Sequence, residues 1–327
     1  MLARGAVPSG LRHCHIARMT SYASLMLFLC VLCIVLHAFE YTCRIMFHPA
    51  DLTPPRALVA RTPADPLQTM RPHRPLDEAL QGLEGKIFQS NVMGIGDVAI
   101  KMFEAKHRQI LPTPLDDIIE LEYSLKLSGV PVAELLSYHE WNDEGLVRNA
   151  AVYRYYPGGD LFGHILRLHR SKAISAQHSE RIAFSVVKML CTCLLHIHSN
   201  GWVHCDIKPE NILLSHDLES SACQAYLADF GLARRIGTIV DRTNSGTKGY
   251  FPQRDIPYGF APVQSSVDLF SVGSVLKAFA FIHPLSPHAQ AVCHLLCAQD
   301  AAQRPTAAQM LHIHLPAWQS HMDHLIE

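Results

Sequence analysis

The chain has little net charge and lacks the cysteine spacing of a zinc ribbon. Its 327 residues carry 28 lysines and arginines against 29 aspartates and glutamates, a formal net charge of −1. Nothing in this balance suggests a nucleic-acid-binding protein or a polybasic membrane patch. Four of the ten cysteines lie in the first 43 residues, and the other six form no CxxC pair. Cys293 and Cys297, one helical turn apart, are therefore interpreted as thiols of a buried helix.

Acidic residues are absent from the first 39 positions, where a basic segment (1–18) precedes an uncharged one, Met19–Phe39. A helix of these 21 residues would just cross a bilayer core, at about 1.5 Å of rise per residue. Three interpretations stay open: a membrane anchor, a cleaved or mitochondrial-type targeting segment, or translation that starts downstream, at Met46 or Met70. The arginines on the two sides of the segment do not decide its orientation.

Glycine is absent from Pro49–Pro75, which contains seven prolines. Such a stretch cannot pack as a helix and is typical of a semi-stiff, exposed tether. We therefore assign residues 40–77 to a linker and expect the folded domain to begin near Leu76. No internal repeat is visible in the rest of the chain.

The most informative motif is His204–Asn211, which lies between two apolar runs. It places a carboxylate at Asp206, an ammonium group at Lys208 and an amide within six residues. Phosphoryl transfer needs this set: a base near the attacking hydroxyl, a cation for the moving phosphoryl group and a metal ligand. A second carboxylate follows in Asp229–Gly231, and another ammonium group ends the apolar run Val98–Lys101.

In this order and at this spacing, the three motifs resemble those of the eukaryotic-type protein kinase superfamily, and the ending Lys208–Asn211 is similar to that of its Ser/Thr branch. The resemblance covers roughly residues 78–318. It implies an α+β, bilobal protein-kinase-like fold, with a small β-rich N-lobe (78–153), a larger α-helical C-lobe (157–318) and a short tail (319–327).

Local sequence patterns agree with this division. Short apolar or β-branched runs at 86–88, 98–103 and 149–153 predict strands. Pro114–Leu127 predicts a helix with two aspartates in its first turn, and Ala176–His198 predicts a long amphipathic helix that stops at an Asn-Gly pair.

The resemblance also implies catalytic roles. Asp206 is expected to accept the proton of the substrate hydroxyl, or to orient it, and Lys208 to neutralise charge on the γ-phosphoryl group. Thr247, in the sequence Gly-Thr-x-x-Tyr, is expected to hydrogen-bond toward both. Lys101 would bridge the α- and β-phosphates of ATP.

A carboxylate from the neighbouring helix is expected to hold Lys101. Spacing to the following loop favours Glu120, with Glu122 as the alternative. Against Glu120 stands Ser124, four residues on, where the family usually packs an apolar side chain.

ATP and Mg²⁺ are the implied cofactors. Asn211 and Asp229 would hold the metal, because Mg²⁺ prefers hard oxygen ligands. The glycine loop over the phosphates is degenerate, since Leu80 stands where its first glycine belongs. Asp160 would bind the ribose or a basic substrate residue, or else cap a helix. The residues expected around the nucleotide are Gly82, Gly85, Ile87, Ala99, Lys101, Tyr155, Asp160, Asn211 and Asp229.

Several positions depart from the family pattern. Cys205 replaces an arginine that normally pairs with a phosphate, so we expect activity without phosphorylation of the activation segment. Arg254 replaces a glutamate that pairs with an arginine like Arg304; a one-residue slip would let Asp255 substitute. Asp268 is expected to cap the catalytic loop, and only 36 residues separate it from Arg304, fewer than the family norm.

These residues predict a protein serine/threonine kinase that transfers the ATP γ-phosphate to Ser/Thr hydroxyls of protein substrates. The alternative is a pseudokinase or scaffold that binds nucleotide or partners without efficient turnover. The features that favour it are the shortened C-lobe and the residues Leu80, Ser124, Cys205 and Arg254. A small-molecule kinase fits the Lys208–Asn211 motif less well. No nucleic acid is expected as a partner.

Location follows from the need for ATP. A domain held by Met19–Phe39 would be membrane-anchored and face the cytosol. A downstream start of translation would make it cytoplasmic, and a targeting segment would direct it to an organelle.

Overall fold

A computed structural model of the chain describes residues 74–75, 86–92, 94–103, 111–143, 146–241, 246–255 and 259–324, all within the compact unit Val59–Glu327. The predicted membrane segment and most of the predicted linker lie outside the described residues. The same holds for Leu80, Gly82 and Gly85, so what was predicted for them stays a prediction.

The first lobe is an antiparallel sheet with one helix packed against it. Two apolar clusters cover its two faces, because side chains alternate along each strand. One contains Val98 and Ile100; the other contains Phe103 and reaches the helix at Leu115. The strands, in the order β1-β2-β3-β5-β4, are β1 (Arg74–Pro75), β2 (Lys86–Val92), β3 (Gly96–Phe103), β4 (Leu135–Asp143) and β5 (Leu146–Arg154).

The helix of this lobe is α1 (Leu115–Leu127), close to the predicted range. Asp116 and Asp117 lie in its first turn, where carboxylates interact favourably with the helix dipole. Gly129 follows the C-terminal end with a φ of 71°, a conformation that glycine adopts without strain.

The second lobe is mainly helical. It is built around α3 (Ala176–Ser199), which carries ten buried residues and is capped by the Ser175 hydroxyl. This helix ends at Asn200 and Gly201, as predicted. The other helices are α2 (Leu161–Ser171), α4 (Ser266–Ala278), α5 (Pro287–Leu296), α6 (Ala307–Gln309) and α7 (Leu315–His324), the last two joined by a π-helical turn.

Three short antiparallel ribbons fix the loops between α3 and α4. Each pairs two strands of two or three residues, so backbone hydrogen bonds hold segments that are too irregular for a sheet. They are β6 (Trp202–Val203) with β9 (Arg234–Arg235), β7 (Ile212–Leu214) with β8 (Ala225–Leu227), and β10 (Ile239–Asp241) with β11 (Phe260–Pro262).

Both predicted limits of the domain were too narrow. Arg74 and Pro75, assigned to the linker, pair with Gln89 and Phe88 at the edge of the sheet. At the other end, α7 continues beyond residue 318, and Met322 is buried against the core. The fold therefore extends at least from 74 to 324.

In the described part of the chain, α3 is the one helix long and apolar enough to cross a membrane. Half of its most apolar window is buried inside the lobe, where it packs against α4 and β6. This helix therefore gives no support to the predicted anchor, which lies elsewhere in the sequence.

The predicted clash between two arginines does not occur. Arg304 is almost completely buried and forms two hydrogen bonds with Asp255, at 2.6 and 2.9 Å, so the one-residue slip is confirmed. It also donates to the carbonyl oxygens of Ala298 and Ser266. Arg254 points to solvent.

We expect Asp255→Ala to destabilise the protein by about 3–5 kcal/mol, because it leaves the Arg304 guanidinium buried without its carboxylate. Arg254→Ala, at the exposed neighbouring position, should change the free energy of unfolding by less than about 0.5 kcal/mol. Urea unfolding of both variants measures the difference. Equal effects would contradict a structural role for the pair.

Candidate active site

A buried carboxylate holds the backbone of the loop His204–Asn211. Asp268, in α4, is fully buried and accepts hydrogen bonds from the backbone N–H groups of His204 and Cys205, both at 2.9 Å. Its Oδ2 also lies 2.9 Å from Nε2 of His198, in α3. The predicted capping of this loop by Asp268 is therefore confirmed.

His204 fixes the loop from the other side. Its Nδ1 accepts the Asp206 N–H at 3.2 Å, so Nε2 carries the proton and donates to the Ala228 carbonyl oxygen at 3.2 Å. Complete burial lowers the pKa of this imidazole, which keeps the ring neutral, as both bonds require. The ring also packs on Phe230, with centroids 4.7 Å apart. The loop His204–Asn211 and the segment Asp229–Gly231 are thus packed together.

Asp206 stands at the centre of a hydrogen-bond network. Its Oδ1 accepts the Thr247 hydroxyl at 2.6 Å and the Thr247 N–H at 3.1 Å. Its Oδ2 accepts Lys208 Nζ at 2.7 Å and Asn211 Nδ2 at 3.0 Å. Lys208 Nζ also donates to the Thr247 hydroxyl at 2.9 Å, so the predicted contacts of Thr247 are present.

Gly246 permits the approach of Thr247. Its φ is 93°, and a Cβ at this position would collide with the carbonyl oxygen of Cys205. Only glycine satisfies both conditions, so the residue before Thr247 is fixed by backbone geometry.

Lys101 and Asp229 meet on the opposite side of the cleft. Lys101 Nζ lies 2.9 Å from Asp229 Oδ1, and the lysine side chain is 11% exposed. Asp229 has a φ of 65°, as Cys205 has 68°, a conformation that is strained for both residues. Such strain is maintained only by surrounding structure, here the Asp268 and His204 contacts.

The two glutamates considered as the carboxylate near Lys101 differ in burial. Glu120 lies on the exposed face of α1, whereas Glu122 is 3% exposed and shares the buried face with Ile118 and Leu125. The Tyr153 hydroxyl donates to Glu122 Oε2 at 2.7 Å. Burial therefore favours Glu122, the alternative named above, over Glu120.

A cavity of about 450 Å³ separates the two lobes. Its walls include the predicted residues Ile87, Ala99, Lys101, Tyr155, Asp160, Asn211 and Asp229. Asp160 lines the cavity, and its Oδ1 accepts the Gly163 N–H at 2.8 Å as the cap of α2. The helix cap is thus present, and binding of the ribose or of a basic substrate residue stays a prediction. Lys208 lies at the same cavity.

Sequence reasoning missed further walls of the cavity. Glu210 lies in the motif but was given no role, and its Oε2 is buried. Apolar walls come from separate elements whose approach no local pattern signals: Ala133, Tyr156, Leu213 and Ala228.

Asn211 and Asp229 offer oxygen donors that suit Mg²⁺. Both Asn211 bonds use its amide nitrogen, which leaves the amide oxygen as the atom for a cation. The Asp229 side chain is 36% exposed and lines the same cavity. A carboxylate and an amide oxygen are the ligands that this metal prefers.

Cys205 lies in an apolar cluster beneath the activation segment. It packs with Val203, Val240, Phe251, Val263 and Val267, and Val240 belongs to ribbon β10–β11. Burial raises the pKa of this thiol well above its usual value, so it stays neutral. The segment is held here by apolar packing and backbone bonds.

Two lobes that enclose a cleft lined by two lysines, two aspartates and an asparagine define a protein of the kinase class. A family model described as protein kinase domain matches residues 82–290, more than half of the chain. The chain belongs to the protein kinase family.

Three of its relatives are described as serine/threonine-protein kinases. The chain is 36% identical to dkf-1 of Caenorhabditis elegans over 35% of its own length and 15% of the relative. It is 25% identical to DCLK3 of Homo sapiens, over 74% of its own length and 42% of the relative. It is 31% identical to cds1 of Schizosaccharomyces pombe, over 46% of its own length and 32% of the relative. The chain thus spans less than half the length of these curated relatives.

We expect Glu122→Gln to lower kcat/KM for ATP about ten- to a hundredfold, because a hydrogen bond to a charged group contributes about 1.5–3 kcal/mol. Tyr153→Phe, which removes the hydroxyl from the same contact, should act in the same direction. Glu120→Gln, two residues away on the exposed face, should leave kinetics unchanged. Steady-state phosphotransfer assays test this; a larger loss from Glu120→Gln would restore the original assignment.

Proposed function

We propose that the chain is a protein serine/threonine kinase that transfers the γ-phosphate of ATP to hydroxyl groups of protein substrates. The observation that carries this is the network at Asp206, in which one carboxylate is bonded to Thr247, Lys208 and Asn211. Family membership and relatives described as Ser/Thr kinases support the same activity.

Each polar residue of the cleft has a task in this reaction. Asp206 orients the substrate hydroxyl and accepts its proton, while Lys208 neutralises charge that develops on the transferred group. Lys101 binds the nucleotide phosphates, and Glu122 and Tyr153 keep α1 in place beside it. When bound at Asn211 and Asp229, Mg²⁺ supplies charge neutralisation for the phosphate oxygens.

The alternative, a scaffold without turnover, finds less support. The doubts raised by Arg254 disappear because Asp255 pairs with Arg304. The doubts raised by Cys205 weaken because Asp268 still holds the loop. Leu80 lies outside the described residues, so it still counts as an argument for the scaffold.

We expect Asp206→Asn to lower γ-phosphate transfer from Mg-ATP by about 10²–10⁴-fold, the usual contribution of a positioned base. The full chain in detergent would be assayed on generic basic proteins and on itself, with Asp116→Asn, at an exposed aspartate in α1, as the matched control. Thermal stabilisation by nucleotide should persist in both variants. Nucleotide binding without transfer by any of the proteins would favour the scaffold.

Activity should also be independent of activation-segment phosphorylation, since Cys205 cannot pair with a phosphate. Phosphatase treatment of the purified full chain, with removal of phosphate verified by mass spectrometry, should change the rate less than twofold. A relative that has arginine at the corresponding position serves as the control for effective treatment. Loss of activity on dephosphorylation would contradict the role assigned to the Cys205 cluster.

We further propose attachment to a membrane through Met19–Phe39, with the kinase domain facing the cytosol and its ATP. The support is compositional: 21 residues without formal charge, followed by a proline-rich stretch. Protein substrates carrying serine or threonine follow from the proposed activity.

A further inference from the structure

Two segments of the C-lobe contain no carboxylate. Asp and Glu are absent from 161–179 and from 269–299, although they make up 29 of the 327 residues of the chain. The same segments contain Arg167, Arg170, Lys172 and Lys277. The near-zero net charge of the whole chain conceals this local excess of positive charge.

The fold brings the two segments together. The end of α2 contacts the 3₁₀ turn Phe279–Phe281, where His169 Nδ1 bonds with the Phe281 carbonyl oxygen. Lys172 Nζ lies 3.5 Å from the Ile282 carbonyl oxygen. Because these contacts use backbone oxygens, they leave the positive charge of the surface uncompensated.

The joined surface also exposes large apolar side chains. Phe162 and Leu166, one turn apart on the outer side of α2, are 41% and 37% exposed, and Phe281 is 69% exposed. Arg170 in α2 and Lys172 directly after it are exposed, as is Lys277, four residues before Phe281. We call this set of six residues the α2 face.

The cations of the α2 face differ from their neighbour Arg167. That guanidinium is 3.2 Å from Asp217 and 3.0 Å from Glu219, so its charge is compensated. Among the residues that the structure describes, no carboxylate forms an ion pair with Arg170, Lys172 or Lys277. A surface of this kind suits an anionic partner with an apolar layer beneath its charges.

An anionic lipid bilayer has that chemistry. Aromatic and leucine side chains enter the boundary between headgroups and acyl chains, and Lys and Arg attract anionic headgroups at about 1 kcal/mol each. A nucleic acid or an acidic peptide would satisfy the cations but would leave Phe162, Leu166 and Phe281 without a matching apolar layer.

The sequence also places a bilayer within reach. Phe39 and Arg74, the last residue of the uncharged segment and the first described residue, are 35 positions apart. A proline-rich, semi-stiff chain of that length spans at most about 110 Å, at about 3.1 Å per residue. The domain would then be held near the membrane at high effective concentration, where a weak contact suffices.

We propose that the α2 face docks on the surface of an anionic lipid bilayer. The proposal rests on the membrane attachment proposed above. Asp160, which lines the cleft, caps the first turn of α2. Docking would therefore keep the mouth of the cleft close to the bilayer, where it would meet substrates carried on membranes.

The test introduces one exposed indole by Phe281→Trp in the full chain. The three native tryptophans, Trp141, Trp202 and Trp318, are at most 8% exposed and provide a constant background. The protein is reconstituted into vesicles of brominated phosphatidylcholine with or without phosphatidylserine. In vesicles with phosphatidylserine, we expect the brominated lipid to quench most of the fluorescence of the introduced tryptophan. Without phosphatidylserine, little of this fluorescence should be quenched. High salt should restore the fluorescence in the anionic vesicles, because it screens the attraction to the headgroups.

Charge reversal identifies the surface. Arg170→Glu with Lys172→Glu, in the Phe281→Trp background, should abolish the quenching. The matched control, Arg181→Glu with Lys188→Glu, makes the same change at two exposed cations of α3 and should leave it unchanged. Equal quenching without phosphatidylserine, or equal loss in both double variants, would overturn the proposal.

Carbonate extraction of the same vesicles tests separately whether the chain is anchored in the membrane through Met19–Phe39. A chain that resists extraction but shows no quenching is anchored and undocked, which overturns the docking alone. A chain that is extracted yet was quenched in anionic vesicles supports docking without the anchor. Extraction without prior quenching overturns both proposals.

Discussion

The buried carboxylate of Asp268 is the contact on which the catalytic loop depends. It joins α4 to two consecutive backbone N–H groups and to His198 of α3, so one side chain ties two core helices to the loop. Cys205 keeps its strained φ because this carboxylate holds its N–H. His204 then couples the loop to the segment that carries Asp229. The positions of the reactive groups thus follow from the helical core.

Much of the site was predictable because its residues lie in short motifs. Asp206, Lys208 and Asn211 lie within six positions, and Thr247 follows a glycine that its geometry requires. The slip to Asp255 could be foreseen because Arg304 needs a carboxylate. Glu122 was ranked second because the prediction relied on the number of residues between the glutamate and the loop after the helix, and that spacing favoured Glu120. The helical period favours Glu122 instead, because it shares a buried face with Ile118 and Leu125.

Other features required the folded chain. The apolar cavity walls come from strands and loops far apart in sequence. The net charge of the whole chain, −1, argued against a basic membrane surface. It could not reveal the excess positive charge of the α2 face, because acidic residues elsewhere in the chain balance it. The end of the domain could have been found from Trp318 and Met322, whose spacing of four places both on one face of a helix. The limit at Arg74 depends on a two-residue pairing that carries no sequence signal.

The Tyr153 hydroxyl has a pharmacological consequence. Its bond to Glu122 places a phenol between the nucleotide cavity and α1, so the rear of the cavity is closed by a side chain that is itself tied down. Compounds that extend from the cavity toward this helix would have to break that bond and displace the ring. Compounds confined to the front of the cleft would not, and selectivity among inhibitors should follow that division.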